Sequence, residues 1–339
     1  MIRGGPIALL LAAACAGPGS RAPVDPVFYE PRDVGSEAGY DPLASSLQYV
    51  LDSVQIPAFG THDYDEHLGI VVDDLASPFH AISEEGGARR FVNAEIFPID
   101  PHRLHDAYAV LPNVGLHTFG GGLLYRKNAE WFEAHGVAAP YVVSASLAMV
   151  SEVLAEAIEK PVTTDTDEIA DVYLFRPLGL WLFSDDDRAR WIRRELDPVD
   201  WPSQLMWSVQ DGEFANTGLS YVVRPGDATG TRPFLLMGLT TLIGLSHPLG
   251  GGDAISWGVG GTTVSTEPVE ARVSGGLYYD RDRSLLASLL LNAGEEYAVR
   301  ANVYPGAWLP EGLGLFAALT DDGEVAAGLQ YRLPVGVAR

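Results

Sequence analysis

One cysteine, Cys15, stands in a chain of 339 residues, so no intramolecular disulfide can form in any compartment. Basic residues are scarce: 22 lysines and arginines face 45 aspartates and glutamates, for a formal net charge of −23. Phosphate backbones are bound by clustered Lys and Arg, so nucleic acid is not an expected partner. No uninterrupted run of about eighteen apolar residues occurs, and no transmembrane helix is expected. The G-x-S-x-G nucleophile elbow, the P-loop and the dinucleotide-binding glycine pattern are also missing, so no cofactor is expected.

What the chain has instead is alternation. From about Leu205 to Leu333 the apolar side chains fall on odd-numbered positions. Strand side chains alternate faces with a period of two, so each segment sorts into an apolar and an opposite face. Ala271, Val273, Leu277 and Tyr279 oppose Glu270, Arg272, Ser274 and Gly276; Leu285, Ala287, Leu289 and Leu291 oppose Ser284, Ser288 and Asn292. The segments run about nine to thirteen residues, longer than ordinary soluble strands and long enough to cross a bilayer at a tilt. Turn-forming clusters separate them, at Asp280 to Arg283, Pro310 to Gly312 and Asp321 to Gly323. Tyr279, Tyr297, Tyr304, Trp308 and Tyr331 lie near segment ends, where interfacial aromatic girdles form. The even face is rich in Gly, Ala and Ser and poor in the Lys and Glu of a solvated sheet. The alternative is a soluble sandwich or barrel whose odd face is core. Inward-facing Arg232, Arg272, Arg300, Arg332, Glu270 and Glu324 are expected to pair within a closed lumen.

The fold class expected is α+β, an N-terminal helical segment followed by an antiparallel up-and-down β-barrel of eight to ten strands. Residues 1–15 read as a secretory leader: Arg3 gives a positive start, Ile7 to Ala14 a brief apolar run. Cys15 then occupies the place of the lipid-modified cysteine in a lipoprotein signal, which this leader resembles. Residues 16–45, rich in Pro and Gly, read as a flexible tether. Residues 46–200 form an acidic helical domain and 201–339 the barrel, with the helical part expected in the periplasm and outer-membrane lipid and a periplasmic protein as the expected partners.

In the helical part, Val143, Leu147, Val150, Leu154 and Ile158 recur at helical spacing, with Glu152, Glu156 and Glu159 on another face and Pro161 ending the run. A second amphipathic stretch runs from Val114 to Ala134 and closes at Gly136. Its Gly120, Gly121 and Gly122 weaken a helix unless another backbone or a ligand packs close against them. A short connection around Pro140 makes the two a helical hairpin.

His117, Gly120, Gly121 and Tyr125, followed by Ser151, Glu152 and Glu156 and then Asp171 eight residues before Gly179, together form a pattern. It resembles an uncharacterised family of bacterial outer-membrane proteins with a helical segment beside a predicted β-barrel. The resemblance covers about residues 110–200 and implies a cell-envelope location; no activity is established for the family. This chain has Leu124 before Tyr125 where paired aromatics are common, and no Asn before Gly179.

A His on one helix and two carboxylates on the next make a general base oriented by an acid, with Ser144, Ser146 or Ser151 as nucleophile. The barrel context is similar to that of lipid A deacylases, so a lipid-acting hydrolase using His117 with Glu152 or Glu156 and Ser151 is one expectation. The other is a buried His117–Glu152 pair that fixes helix register. A structural or interaction protein of the outer membrane is the leading reading, and a soluble lipoprotein binding an apolar ligand the third. Seven of the eight histidines lie in 62–135. Their two acidic clusters, His62 to His67 and Asp100 to Asp106, reproduce no zinc spacing, and no metal site is expected.

Overall fold

The computed structural model describes residues 25–56, 63–96, 114–160, 166–266, 269–292 and 297–339. Cys15, the leader and the 100–106 cluster lie outside the described residues. The fold is α+β and divides into two compact units. Residues 60–191 make up most of the helical unit; 30–59 group with 192–339 in the strand unit. Residues 30–59, expected to divide between tether and helical domain, therefore belong with the strands.

The strand unit begins with α1 (Pro42–Val50), capped by the Asp41 carboxylate accepting from Leu43 and Ala44 amides and started by Pro42 at its first turn. The segment around it is tied to strand residues by direct bonds. Gly35 N donates to Pro305 O at 2.7 Å, Gln48 Nε2 to Gly218 O at 2.9 Å, and the Leu219 amide to the Asp52 carboxylate at 2.5 Å.

Thirteen strands form one sheet: β1 (Val199–Pro202), β2 (Met206–Ser208), β3 (Phe214–Ala215), β4 (Leu219–Val223), β5 (Arg232–Met237), β6 (Thr240–Gly250), β7 (Asp253–Thr266), β8 (Val269–Arg281), β9 (Ser284–Leu291), β10 (Tyr297–Val303), β11 (Leu313–Thr320), β12 (Val325–Tyr331) and β13 (Gly336–Ala338). From β4 to β13 each strand pairs antiparallel with the next in sequence. Asp282 and Arg283 both take positive φ in the two-residue turn between β8 and β9, the type I′ geometry that matches strand twist. Among the described residues the strands number thirteen rather than eight to ten, because the short β1 and β3 carry too little alternation to register. The sheet is mixed rather than wholly antiparallel, because β13 pairs in parallel with β2. The stretch 199–208 thus bonds β4 through β1 and β13 through β2.

One face of this sheet is apolar and exposed, where a soluble sheet presents polar groups to water. Odd positions are exposed and apolar: Ile243 at 69%, Val259 at 62% and Val273 at 80%, with Leu277, Leu289, Leu319 and Leu329 also exposed. Even positions are buried and mix polar groups with an apolar core that includes Phe234, Leu236, Leu242, Tyr278 and Leu290. Thr262 hydrogen-bonds Thr240 at 2.7 Å and Ser274 at 2.6 Å, Ser256 bonds Ser246 at 2.9 Å, and Asn216 donates to Asn302 at 2.6 Å. Arg224 forks onto both oxygens of Asp280 at 2.8 and 3.0 Å beside stacked Trp201 and Tyr278. Charge pairs in the strand unit are the buried Arg224 with Asp280 and the half-buried Arg232 with Asp197, while the Arg272 pair with Asp321 is exposed.

The helical unit contains α2 (Tyr64–Ala76), α3 (Gly121–Ala134), α4 (Pro140–Glu159), α5 (Arg176–Ser184) and α6 (Asp186–Leu196), the last running on into the strand unit. Val71 and Leu75 of α2 pack on Ile169, Val172 and Ala81. By length and composition α4 would pass for a membrane span. Its apolar stripe, however, is buried only at its C-terminal end, where Ile158 is covered. Val143 and Val150 are exposed, whereas Ser144, Ser151, Glu152 and Glu156 are buried. Polar partners from α3 and α5 make that face the inner one.

Candidate functional site

The buried face of α4 is the floor of a polar cluster. Glu152 and Glu156, one turn apart, project from the same side of the helix. His117 comes from the π-helical turn Gly115–Gly120 that leads into α3, and Asp171 opens a second π turn, Asp171–Phe175, that leads into α5. Such turns are rare and concentrate at functional sites, where one extra residue per turn redirects side chains. His117, Glu152, Glu156 and Asp171 each offer a ligand atom within 4.8 Å of the others, and all four are buried.

His117 lies between two carboxylates. Its Nδ1 is 2.5 Å from Glu152 Oε1, a short hydrogen bond, and its Nε2 is 3.6 Å from Asp171 Oδ2, too long for one. Glu152 is also ion-paired with Arg176, the first residue of α5, so the imidazole is held by a carboxylate that is itself held. Burial, and then the charge of Asp171, holds the Glu156 carboxyl well above the ordinary carboxylate range. Asp171 is pushed up to about 7 by burial, against the pull of His117. One oxygen of each, Glu156 Oε1 and Asp171 Oδ1, is buried with no hydrogen-bond partner outside the pair. At the C-terminal end of α4, Lys160 pairs with Glu168 at 2.9 Å and Asp74 at 3.4 Å, while burial pushes Glu168 to about 7.

The glycines explain how a cluster this tight is assembled. A Cβ on Gly121 would collide with the Arg176 guanidinium, 1.7 Å from Nη1. A Cβ on Gly122 would lie 2.7 Å from Gly179 O, and one on Gly179 would lie 2.2 Å from Thr118 O. Helices α3 and α5 therefore cross backbone to backbone, which places Arg176 beside α4. Gly179→Ala is expected to cost about 1–3 kcal/mol, since the contact is with a carbonyl that cannot rotate aside. Hydrogen exchange should show faster opening of α3 and α5, with the strands unchanged.

Of the residues singled out from the sequence, His117, Glu152, Glu156 and Asp171 converge, and Gly120, Gly121 and Gly179 lie in the packing around them. Tyr125 is buried, its ring edge-on to Tyr141 at 6.3 Å. The serines do not join: Ser144 donates to Tyr125 O at 2.6 Å, and Ser151, though buried, makes no hydrogen bond to His117. An imidazole with carboxylates at both nitrogens and no hydroxyl in line suits cation binding or proton storage better than acyl transfer. Sequence reasoning missed Arg176. Its signal was a lone cation inside the apolar run Leu174-Phe175-Arg176-Pro177-Leu178. Of the two acidic clusters read for metal, Asp63, Asp65, Glu66 and His67 sit at the start of α2 and form no such grouping among the described residues.

No protein-family model, curated protein or solved structure matches the chain.

Proposed function

We propose that the strand unit is an outer-membrane β-barrel, closed through the stretch 199–208, with the helical unit outside the bilayer as an interaction domain. The single observation that carries this is the exposed apolar face of the sheet. Exposed Ile, Leu, Val and Trp on one face cost little in lipid and much in water, at about 25 cal/mol per Å² of apolar surface. The buried face pairs Thr262 with Thr240 and Ser274, Ser256 with Ser246 and Arg224 with Asp280 internally, as suits a small barrel lumen. Strands β6, β7 and β8 span 11, 14 and 13 residues, enough to cross a bilayer at a tilt. Exposed Trp257, Tyr331 and Trp308 suit an interfacial girdle. The motif of the helical unit, resembling the uncharacterised outer-membrane family, agrees with the location, and the leader ending at Cys15 supplies the export route. Membrane lipid is then the first partner, and a periplasmic protein the second.

Fractionation tests this directly. The full chain carrying Cys15→Ser, exported on a cleavable signal, should stay in the outer membrane after a urea wash and migrate differently on gels before and after boiling. A soluble, monomeric product would overturn the barrel and leave a lipoprotein whose sheet is covered by something other than lipid.

A further inference from the structure

We propose that the helical unit binds one divalent transition-metal cation through His117 Nε2, Glu156 and Asp171, with Glu152 and Arg176 as positioning residues behind the imidazole. The site rests on the helical unit alone and not on the barrel reading.

The donor set is built rather than incidental. Three elements contribute one ligand each: the π turn before α3, the buried face of α4, and the π turn before α5. The hydrogen bond from His117 Nδ1 to Glu152, at 2.5 Å, leaves the lone pair of Nε2 on the side of Asp171, 3.6 Å away. A carboxylate behind a metal-bound imidazole is the usual way its tautomer and ring plane are fixed. Arg176 neutralises Glu152, which assigns Glu152 to that supporting role. The remaining acceptors face one another. Glu156 Oε1 and Asp171 Oδ1 are buried, and neither accepts a hydrogen bond from any group outside the pair. Buried carboxylate oxygens in that state need a proton or a cation. Glu156 also lies within 4.8 Å of Glu159 and Asp167, which deepens the negative potential at this point. One imidazole with two carboxylates suits Mn²⁺, Fe²⁺ or Zn²⁺ rather than the all-oxygen cages of Ca²⁺.

The test uses the full-length protein, in detergent if it proves membrane-bound and in buffer if it proves soluble, so that failure of the barrel reading leaves this one standing. Stripped with a chelator and titrated separately with Zn²⁺ and Mn²⁺, the wild type should take up one equivalent of at least one of them and hold it through desalting. Glu156→Gln and Asp171→Asn should each weaken binding at least about 100-fold, and Glu152→Gln about 10–100-fold. The two amide replacements keep shape and remove charge, so both variants should retain the helical content and exchange protection of the stripped wild type. The proposal is overturned if the stripped wild type retains neither ion, or if Glu156→Gln and Asp171→Asn retain it as tightly as the wild type does.

Discussion

Replacing Val259 and Leu289 together by arginine is expected to keep the protein out of the membrane. Both side chains sit on the exposed odd face, in β7 and β9 on either side of β8. An arginine on the lipid face of a barrel costs about 2–4 kcal/mol at mid-bilayer, so two cost roughly 4–8 kcal/mol if both lie near the centre. That is comparable with the whole stability of many folded domains. Loss of the heat-modifiable form, with degradation in the periplasm, is the expected readout. The paired control Val259→Phe with Leu289→Phe should assemble normally. In water the outcome would be the opposite, because arginines on a solvated face are harmless and relieve an apolar patch. Normal assembly of the arginine variant would therefore sink the lipid-facing assignment.

The alternation from β6 to β12 was legible because a period of two needs only the identities of neighbouring residues. It also sorted the residues of each strand into two sets, Val259 with Val273 and Ser256 with Ser274. Which set faces outward was less legible, since an apolar face reads the same whether it meets a core or lipid; the polar, glycine-rich even face tipped the reading. The short strands β1 and β3 and the parallel β13–β2 pairing were not legible, because two to four residues carry no period. In the helical unit the same ambiguity misled. Val143 and Val150 make a convincing inner stripe by spacing, yet they lie outside. The inner face is chosen by long-range partners: glycines that let α3 and α5 approach, and the Arg176 ion pair with Glu152. His117, Glu152, Glu156 and Asp171 stood out as a motif, but only three-dimensional placement shows that Ser144 is bonded to the Tyr125 carbonyl instead of joining them.

Arg176→Met is expected to be the most damaging single change in the helical unit. Glu152 is fully buried, and its two oxygens meet His117 and Arg176. Methionine fills similar space but removes the guanidinium, leaving the buried carboxylate to the imidazole. Removing one partner of a buried ion pair costs about 3–5 kcal/mol, far more than the pair contributes relative to an apolar replacement. The double variant Arg176→Met with Glu152→Met should accordingly recover most of the loss. Exchange protection of the α4 and α5 amides, measured in the full chain, separates the possibilities: it should fall by several hundredfold or more in the single variant and return in the double. If both variants were equally unprotected, Arg176 would matter for its contacts with α3 at Gly121 rather than for its charge. If neither lost protection, the cluster would not depend on the pair at all, and the carboxylate behind His117 would have to be held by some other group.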